Sequence, residues 1–327
     1  MPVRVQHKDT KAERKEARRA VGRLENQLVS LETQKRYQDV FQLFCSFTGV
    51  GTAQLANDLQ ELDRRLCEYI EFMWTEGEPK SYANYVVASV QHHIPPSKRH
   101  LPRSWKLVAT WNKIELPSRA TPISPEILGA MAGVMIEWKW PQVAFLVTVA
   151  YSCFLRTGEM FRLRRSHVVL PSNNSQPAVV FLEDTKGGQR KQLQWEKVLV
   201  QERTAIICLK LLCEKLGANA LLAPCSMHQF RQLWKDVVKH LQLDHLRIQP
   251  YSIRRGGATS AYRRGMSFEE LVSRGRWSHV STARIYLDEG LQELASLELT
   301  RPTQTRLQRY RHLFISCKPV RDAWKGF

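Results

Sequence analysis

The sequence lacks the patterns that build zinc sites, membrane spans and secretory signals. Its seven cysteines form no CxxC pair and lie mostly in apolar runs such as "AYSCFL", and none of the ten histidines lies at a zinc-ligand spacing from them. No apolar run is long enough to cross a bilayer. The first residues, "MPVRVQHKDTKAERKEARR", have no hydrophobic signal core. We therefore expect a soluble intracellular protein whose cysteines stay reduced.

Negative charge is also scarce. The 31 acidic residues face 49 lysines and arginines, which gives a formal net charge of +18. This balance favours a polyanionic partner such as nucleic acid over the alternative of a merely basic soluble protein. With 43% hydrophobic residues in 327, the chain can bury a sizeable core, and its length predicts two domains.

The amino-terminal part predicts a basic arm and a helical domain. Residues 1–27 are dense in charge and read either as a solvated tail helix or as a basic arm or nuclear address. Residues 28–116 contain four amphipathic helical patterns, each followed by glycine or proline or by the proline-rich linker 117–122. Basic residues on the exposed faces of this domain are Lys35, Arg36, Lys80, Lys98, Arg99 and Arg103.

Residues 123–300 predict a second domain of mixed structure. Ser124 and the proline after it start one helix, "SPEILGAMAGVMIEW". A second helix, which begins at "PQVAFL" and is apolar on nearly all faces, runs to Arg156. The runs "AVVFLED" and "KQLQWEKVLV" are separated by "TKGGQRK", which predicts an antiparallel sheet with a tight glycine hairpin. Helical patterns resume at Gln201. The fold class is therefore mainly α with a small antiparallel sheet (α+β).

Several polar residues stand where structure alone does not require them. Arg156 follows a long apolar helix, Lys186 and Lys191 flank the hairpin turn, and Arg254 lies in "YSIRRGG". Two guanidinium groups can brace a phosphodiester, and an ammonium can protonate a departing alkoxide. With the hydroxyl of Tyr286 as acceptor of the phosphoryl group, these side chains suit phosphoryl transfer to tyrosine without a metal or other cofactor.

The order of these residues resembles the tyrosine recombinase (phage integrase) family. The matching motifs are "FLRTGEMFRL", the hairpin lysine, "YSIR", "GRWS" and "STARIY", in the family's order. Trp277 lies 23 residues after Arg254 and 9 residues before Tyr286, and both spacings are similar to the family's. The resemblance covers residues 123–300 by motif, whereas residues 28–116 resemble the SAM-like core-binding domain only by architecture.

This resemblance implies a role for each matching residue. Tyr286 would attack the scissile phosphate and form a 3′-phosphotyrosyl bond. Arg156 and Arg254 would clamp the phosphate, and Lys186, with Lys191 as the alternative, would be the general acid. Trp277 would pack on the nucleophile's helix and offer its indole N–H to the phosphate. The supporting residues would be Glu159 behind Arg156 and His279 as a cap of the helix that carries Tyr286.

One position departs from the family, because Tyr251 stands where histidine is usual. A phenol is a poor base at neutral pH, so we expect Tyr251 to hydrogen-bond the phosphate rather than abstract a proton. The other arginines of "YSIRRGGATSAYRRG" are candidates for flanking phosphates. The expected DNA contacts are thus Lys35, Arg36, Arg99, Arg255, Arg263 and Arg264.

The resemblance also implies an assembly. We expect a C-shaped clamp around double-stranded DNA, a tetramer in the synaptic complex, and a tail at 301–327 that docks on a neighbouring protomer. No small-molecule substrate or membrane is expected, and the protein would lie on DNA in a nucleus or a nucleoid, depending on the host. Two alternatives stay open: a domesticated, catalytically silent DNA-binding protein and a type IB topoisomerase-like enzyme. The target site, the direction of recombination and the type of mobile element stay undetermined.

Overall fold

The computed structural model describes residues 10–116, 118–172, 176–183, 195–317 and 320. The chain divides into two compact units, Met1–Ser118 and Arg119–Phe327, and each has its own hydrophobic core. All seven cysteines are among the described residues, and each carries a free thiol. Within the described part of the chain, no helix has the length and apolar character needed to cross a membrane.

The first unit is entirely helical in its described part. Its first helix has no buried residue and is capped by Thr10 and Glu13. The others surround a core that includes Phe44, Leu62 and Val86, and the short helix α3 adds to the four that the sequence predicts. The helices are α1 (Lys11–Val21), α2 (Leu31–Thr48), α3 (Thr52–Asn57), α4 (Leu59–Thr75), α5 (Lys80–His93) and α6 (Pro102–Ile114), with 3₁₀ turns at Leu24–Gln27 and Pro95–Ser97.

The second unit is built around α8, which is buried on nearly every face, as its uniformly apolar sequence predicts. Ser124 caps α7 through a hydrogen bond to the amide of Ile127. The helices are α7 (Pro125–Glu137), α8 (Pro141–Ser152), α9 (Thr157–Met160), α10 (Arg203–Cys213), α11 (Met227–His240), α12 (Ser252–Arg263), α13 (Phe268–Gly275), α14 (Val280–Tyr286), α15 (Glu289–Leu297) and α16 (Arg301–Ser316), with 3₁₀ turns at Arg165–His167 and Asp244–Leu246.

A three-stranded antiparallel sheet lies between α9 and α10 in the chain. Its strands are β1 (Val168–Val169), β2 (Ala178–Glu183) and β3 (Trp195–Val200), in the order β1-β2-β3. The β2–β3 register pairs the ends of the two strands, Glu183 with Trp195. The predicted fold class, mainly α with a small antiparallel sheet, is confirmed. The predicted glycine hairpin falls in residues 184–194, outside the described residues.

Helix α16 packs against α7 of the same chain. Leu307, Tyr310 and Phe314 are buried, and a Cβ on Gly133 of α7 would lie only 1.9 Å from the carbonyl oxygen of Tyr310. The Tyr310 hydroxyl donates to Glu137 Oε2 over 2.9 Å. Residues 301–316 therefore belong to the core of the second unit. Docking of the tail 301–327 on a neighbouring protomer stays a prediction, and the apolar side of α16 is not available for it because α7 covers that side.

Candidate functional site

Five of the predicted residues meet in the second unit. Arg156 is the N-cap residue of α9, Tyr251 and Arg254 start α12, Trp277 follows α13, and Tyr286 ends α14. The ring of Tyr286 lies 4.7 Å from that of Trp277 and 5.6 Å from that of Tyr251, centroid to centroid. The guanidinium carbon of Arg254 lies 5.1 Å from the Tyr286 ring centroid.

Two glycines let α12 lie directly on its neighbours. A Cβ on Gly256 would lie 2.2 Å from the carbonyl oxygen of Ile123, and one on Gly257 would lie 2.1 Å from that of Tyr151. The backbones touch where a side chain would keep them apart. This contact buries the first turn of α12, and with it the side chain of Arg254, which is only 1% exposed.

Arg254 is held by main-chain oxygens. Its Nη1 donates to the carbonyl of Phe154, and its Nη2 donates to the carbonyl of Gly275 over 2.6 Å. Burial, together with the positive charges of Arg276 and Arg156, lowers the pKa of Arg254 to about 10, so the side chain stays charged at neutral pH. Its buried Nε–H has no hydrogen-bond partner among the described residues, which leaves a donor for a ligand oxygen.

Glu159 connects the arginines. Its Oε1 accepts from Arg156 Nη1 over 2.6 Å, and its Oε2 accepts from Arg276 Nη2 over 2.7 Å. Arg254 Nη1 lies 4.0 Å from the same Oε2. Burial alone would raise the pKa of Glu159, but the three guanidinium groups outweigh burial and lower it. The carboxylate is therefore ionised, and it fixes the arginines around it.

Tyr286 is half-buried and more acidic than an ordinary tyrosine. Burial alone would raise its pKa, but a hydrogen bond with Tyr251 and the positive charges of Arg254 and Arg156 lower it. Burial and the same hydrogen bond raise the pKa of Tyr251. Of the two phenols, Tyr286 is therefore the more acidic.

Trp277 forms one wall of the site. Its side chain is buried, and Gly275 has no room for a Cβ because the indole ring would lie 2.0 Å away. The indole also lowers the pKa of Tyr286, although its N–H falls short of full hydrogen-bond geometry and finds no partner among the described residues. In the part of the chain that the structure describes, the site thus contains a second buried donor without an acceptor.

Solved structures share this architecture. The Tn1549 transposon integrase in complex with circular intermediate DNA is 11% identical, with a TM-score of 0.55 over 86% of this chain and 94% of that one. The XerH site-specific recombinase bound to palindromic difH substrate is 14% identical, with a TM-score of 0.50 over 86% and 82%. The chain has the tyrosine recombinase fold. No protein-family model and no curated protein sequence matches it.

The tyrosine recombinase fold leaves several predicted DNA contacts on the surface. Lys35, Arg36 and Arg99 are exposed in the first unit, and Arg36 donates to the Tyr85 hydroxyl over 2.8 Å. In the second unit, Arg263 and Arg264 are exposed, each near a carboxylate. The two pairs are Arg263 with Glu293 at 2.8 Å and Arg264 with Glu202 at 3.9 Å.

Arg255 is not a surface residue of this tyrosine recombinase fold. It is 2% exposed, donates to the carbonyl of Ala120, and pairs with Asp288 at 3.3 Å. One helical step turns it about 100° away from Arg254, into the contact between α12 and the segment before α7. The prediction that Arg255 binds a flanking phosphate is wrong, because its guanidinium is used inside the unit.

The two remaining predictions concern His279 and the general acid. His279 is the N-cap residue of α14, but its exposed side chain makes no hydrogen bond to the helix, so the predicted side-chain cap is wrong. Lys186 and Lys191 lie outside the described residues, and the general acid stays a prediction.

Sequence reasoning missed Arg276 in the tyrosine recombinase fold. This residue is buried and has φ 57°, in the left-handed region. Its Nη2 contacts Glu159, and its Nε lies 3.6 Å from Glu196 Oε2 on β3. The motif "GRWS" contains it, but only its neighbour Trp277 carried a recognised role. The sequence offered one indication of its importance, namely an arginine in a tight turn directly before the buried Trp277.

Proposed function

We propose that this protein is a site-specific DNA recombinase or integrase that cuts and rejoins DNA through a covalent bond between Tyr286 and the 3′ phosphate. The observation that carries the proposal is the setting of Tyr286. An acidified phenol lies against the Arg254 guanidinium and the Trp277 indole, both of which keep a buried donor without an acceptor. A phosphate oxygen would supply that acceptor.

The chemistry follows from these groups. The Tyr286 hydroxyl gives its proton to solvent water, its oxygen attacks phosphorus, and the bond from phosphorus to the 5′ oxygen breaks. Negative charge grows on the non-bridging oxygens, where Arg156, Arg254 and the indole N–H stabilise it. The departing 5′ oxygen takes a proton, for which Lys186 or Lys191 is the proposed donor. Attack by a 5′ hydroxyl on the phosphotyrosine reverses these steps and rejoins the strand.

The proposed role of Tyr251 differs from the hydrogen bond to the phosphate that its position in the sequence suggested. The Tyr251 ring lies 5.6 Å from that of Tyr286, and its pKa is raised whereas that of Tyr286 is lowered. We assign it to stabilising the tyrosinate of Tyr286 before attack, through a hydrogen bond to the charged oxygen. A contact from Tyr251 to the phosphate is not needed for this role.

Duplex DNA is the proposed substrate. The structures with which this chain shares its fold are complexes with circular intermediate DNA and with a palindromic difH substrate. The net charge of +18 also favours a polyanion. The exposed basic residues named above would bind the backbone. Assembly as a tetramer on DNA and residence on chromosomal or element DNA belong to the same proposal.

A suicide-substrate experiment tests this function. Duplex DNA from the boundaries of the element that carries the gene would be nicked near the scissile bond, so that the short fragment diffuses away and religation fails. Wild type should accumulate a protease-sensitive protein–DNA adduct. Tyr286→Phe should bind the DNA with similar affinity and form no adduct. Tyr262→Phe, on the exposed end of α12, is the matched control and should form it normally.

The alternatives give different results in the same experiment. A silent DNA-binding protein would bind the boundary DNA and form no adduct, even as wild type. A topoisomerase-like enzyme would relax supercoiled plasmid as a monomer and without preference for the boundary sequence. Adduct formation by Tyr286→Phe, with the DNA mapped to another tyrosine, would refute the assignment of the nucleophile.

A further inference from the structure

We propose that Arg276 is a positioning residue that leaves Arg156 and Arg254 available for the scissile phosphate by neutralising the two carboxylates beneath them. This inference rests on the proposed function for its substrate. Its geometry is independent of that function, because it concerns how buried charges are balanced in the second unit.

The backbone conformation and the burial of Arg276 are both unusual for an arginine. Its backbone has φ 57° at the end of α13, a conformation that glycine adopts more readily. Its side chain is nonetheless buried and donates through Nη1 to the carbonyl of Cys153 over 3.3 Å and through Nη2 to that of Phe154 over 3.4 Å. The strained backbone and the buried charge are both maintained, which points to a role for the guanidinium itself.

The carboxylates that Arg276 contacts come from different elements. Glu159 on α9 lies 2.7 Å from Nη2, and Glu196 on β3 lies 3.6 Å from Nε. Both carboxylates are buried. Arg276 thereby joins the helix that follows Arg156 to the strand that follows residues 184–194. It also directly precedes Trp277, so one residue connects three parts of the site.

Charge balance gives the mechanism. Glu159 is shared by three arginines: Arg156 at 2.6 Å, Arg276 at 2.7 Å and Arg254 at 4.0 Å. Without Arg276, Oε2 of Glu159 would lose its nearest cation, and the cluster would lose one positive charge. Arg254, already 4.0 Å from Glu159, would be drawn to Oε2 and away from the phosphate.

The decisive variants are Arg276→Gln and the double variant Arg276→Gln/Glu196→Gln. The single variant removes one positive charge from the cluster, and the double variant restores the net charge of the cluster by removing one negative charge. We expect the single variant to form adduct about 10- to 100-fold more slowly, the usual range for residues that orient a contacting group. Duplex affinity should stay within about twofold, because Arg276 is buried. The double variant should recover most of the lost rate.

Controls separate electrostatics from folding. Arg309→Gln removes a charge from an exposed arginine of the same unit, 3.7 Å from Glu137, and should leave the rate unchanged. Arg276→Lys keeps the charge and should be faster than Arg276→Gln. If Arg276→Gln does not fold, comparison of the lysine and double variants with wild type decides. A double variant no faster than the single one would mean that the role of Arg276 is only structural and would overturn the inference, as would a single variant at the wild-type rate.

Binding of tungstate, a tetrahedral oxyanion, is measured by calorimetry on the same proteins. Wild type and the double variant should bind it about tenfold more tightly than Arg276→Gln. This readout needs no cleavage. If wild type forms no adduct but shows this order of tungstate affinities, the proposed function fails and the inference stands. Equal tungstate affinities, or no binding by wild type, would overturn the inference whether or not DNA is cut.

Discussion

Gly257→Ala should disable the site without touching a reacting group. The new Cβ would lie 2.1 Å from the carbonyl oxygen of Tyr151 and 3.0 Å from the ring of Phe154. Because contacts of Cβ below 3.0 Å are essentially never seen, α12 must move away from α8 by about 1 Å. Overpacking of this kind costs about 2 kcal/mol, which lowers the melting temperature of a unit of this size by about 4–8 °C.

The same shift moves Arg254, which lies one turn earlier on α12 and is held by the carbonyl of Phe154. A displacement of about 1 Å costs about 100-fold in rate, so adduct formation should fall by this factor while duplex affinity changes little. The assay combines thermal unfolding with single-turnover cleavage of the nicked substrate. Gly290→Ala is the matched control, because a Cβ there meets nothing within 4 Å. If Gly257→Ala melted at the wild-type temperature and cleaved at the wild-type rate, the close packing of α12 on α8 would be refuted.

Three further outcomes are expected. Tyr251→Phe removes a hydrogen bond that lowers the pKa of Tyr286; the pKa should rise, and the pH–rate profile of adduct formation should shift to higher pH with a slower rate at pH 7, whereas an unshifted profile would contradict this assignment. Arg255→Met should lower the melting temperature but leave the salt dependence of DNA binding unchanged, because this arginine is buried; a shallower salt slope would restore it as a phosphate contact. In wild type, duplex affinity should fall by orders of magnitude between about 50 and 200 mM salt if about six or more phosphates are contacted, and a flat response in a filter-binding titration would argue against a basic DNA-binding surface.

The positions of Arg156, Arg254, Trp277 and Tyr286 could be predicted because their order and spacing resemble the motifs of the tyrosine recombinase family. Their assembly into one site depends on helix lengths, which apolar periodicity indicates well. The uniformly apolar sequence of α8 predicts that this helix is buried. Arg156, which follows it, is then expected to lie close to the core. Glu159 could be placed by the same reasoning, since a carboxylate one turn from Arg156 is within reach of its guanidinium.

The fates of Arg255 and Arg276 could not be predicted. Adjacent arginines look alike in a sequence, and which of them is buried depends on what covers the other face of α12. That face is closed by Asp288 and by the backbone at Ala120, more than thirty residues away in either direction. Likewise, the spacing of Leu307, Tyr310 and Phe314 indicates a buried stripe on α16, but nothing in the pattern says that α7 of the same chain covers it.

The packing of α16 against α7 has a consequence for the synthesis of the chain. A ribosome releases the first unit and then every proposed catalytic residue before it makes α16, whose backbone must lie against Gly133. Until α16 is made, the side of α7 that it covers stays exposed to solvent, and the second unit lacks part of its core. A nascent or prematurely terminated chain would therefore bear Tyr286 and both arginines without the packing that aligns them. Helix α16 would therefore delay the proposed DNA-cutting activity until the chain has been made at least to residue 316.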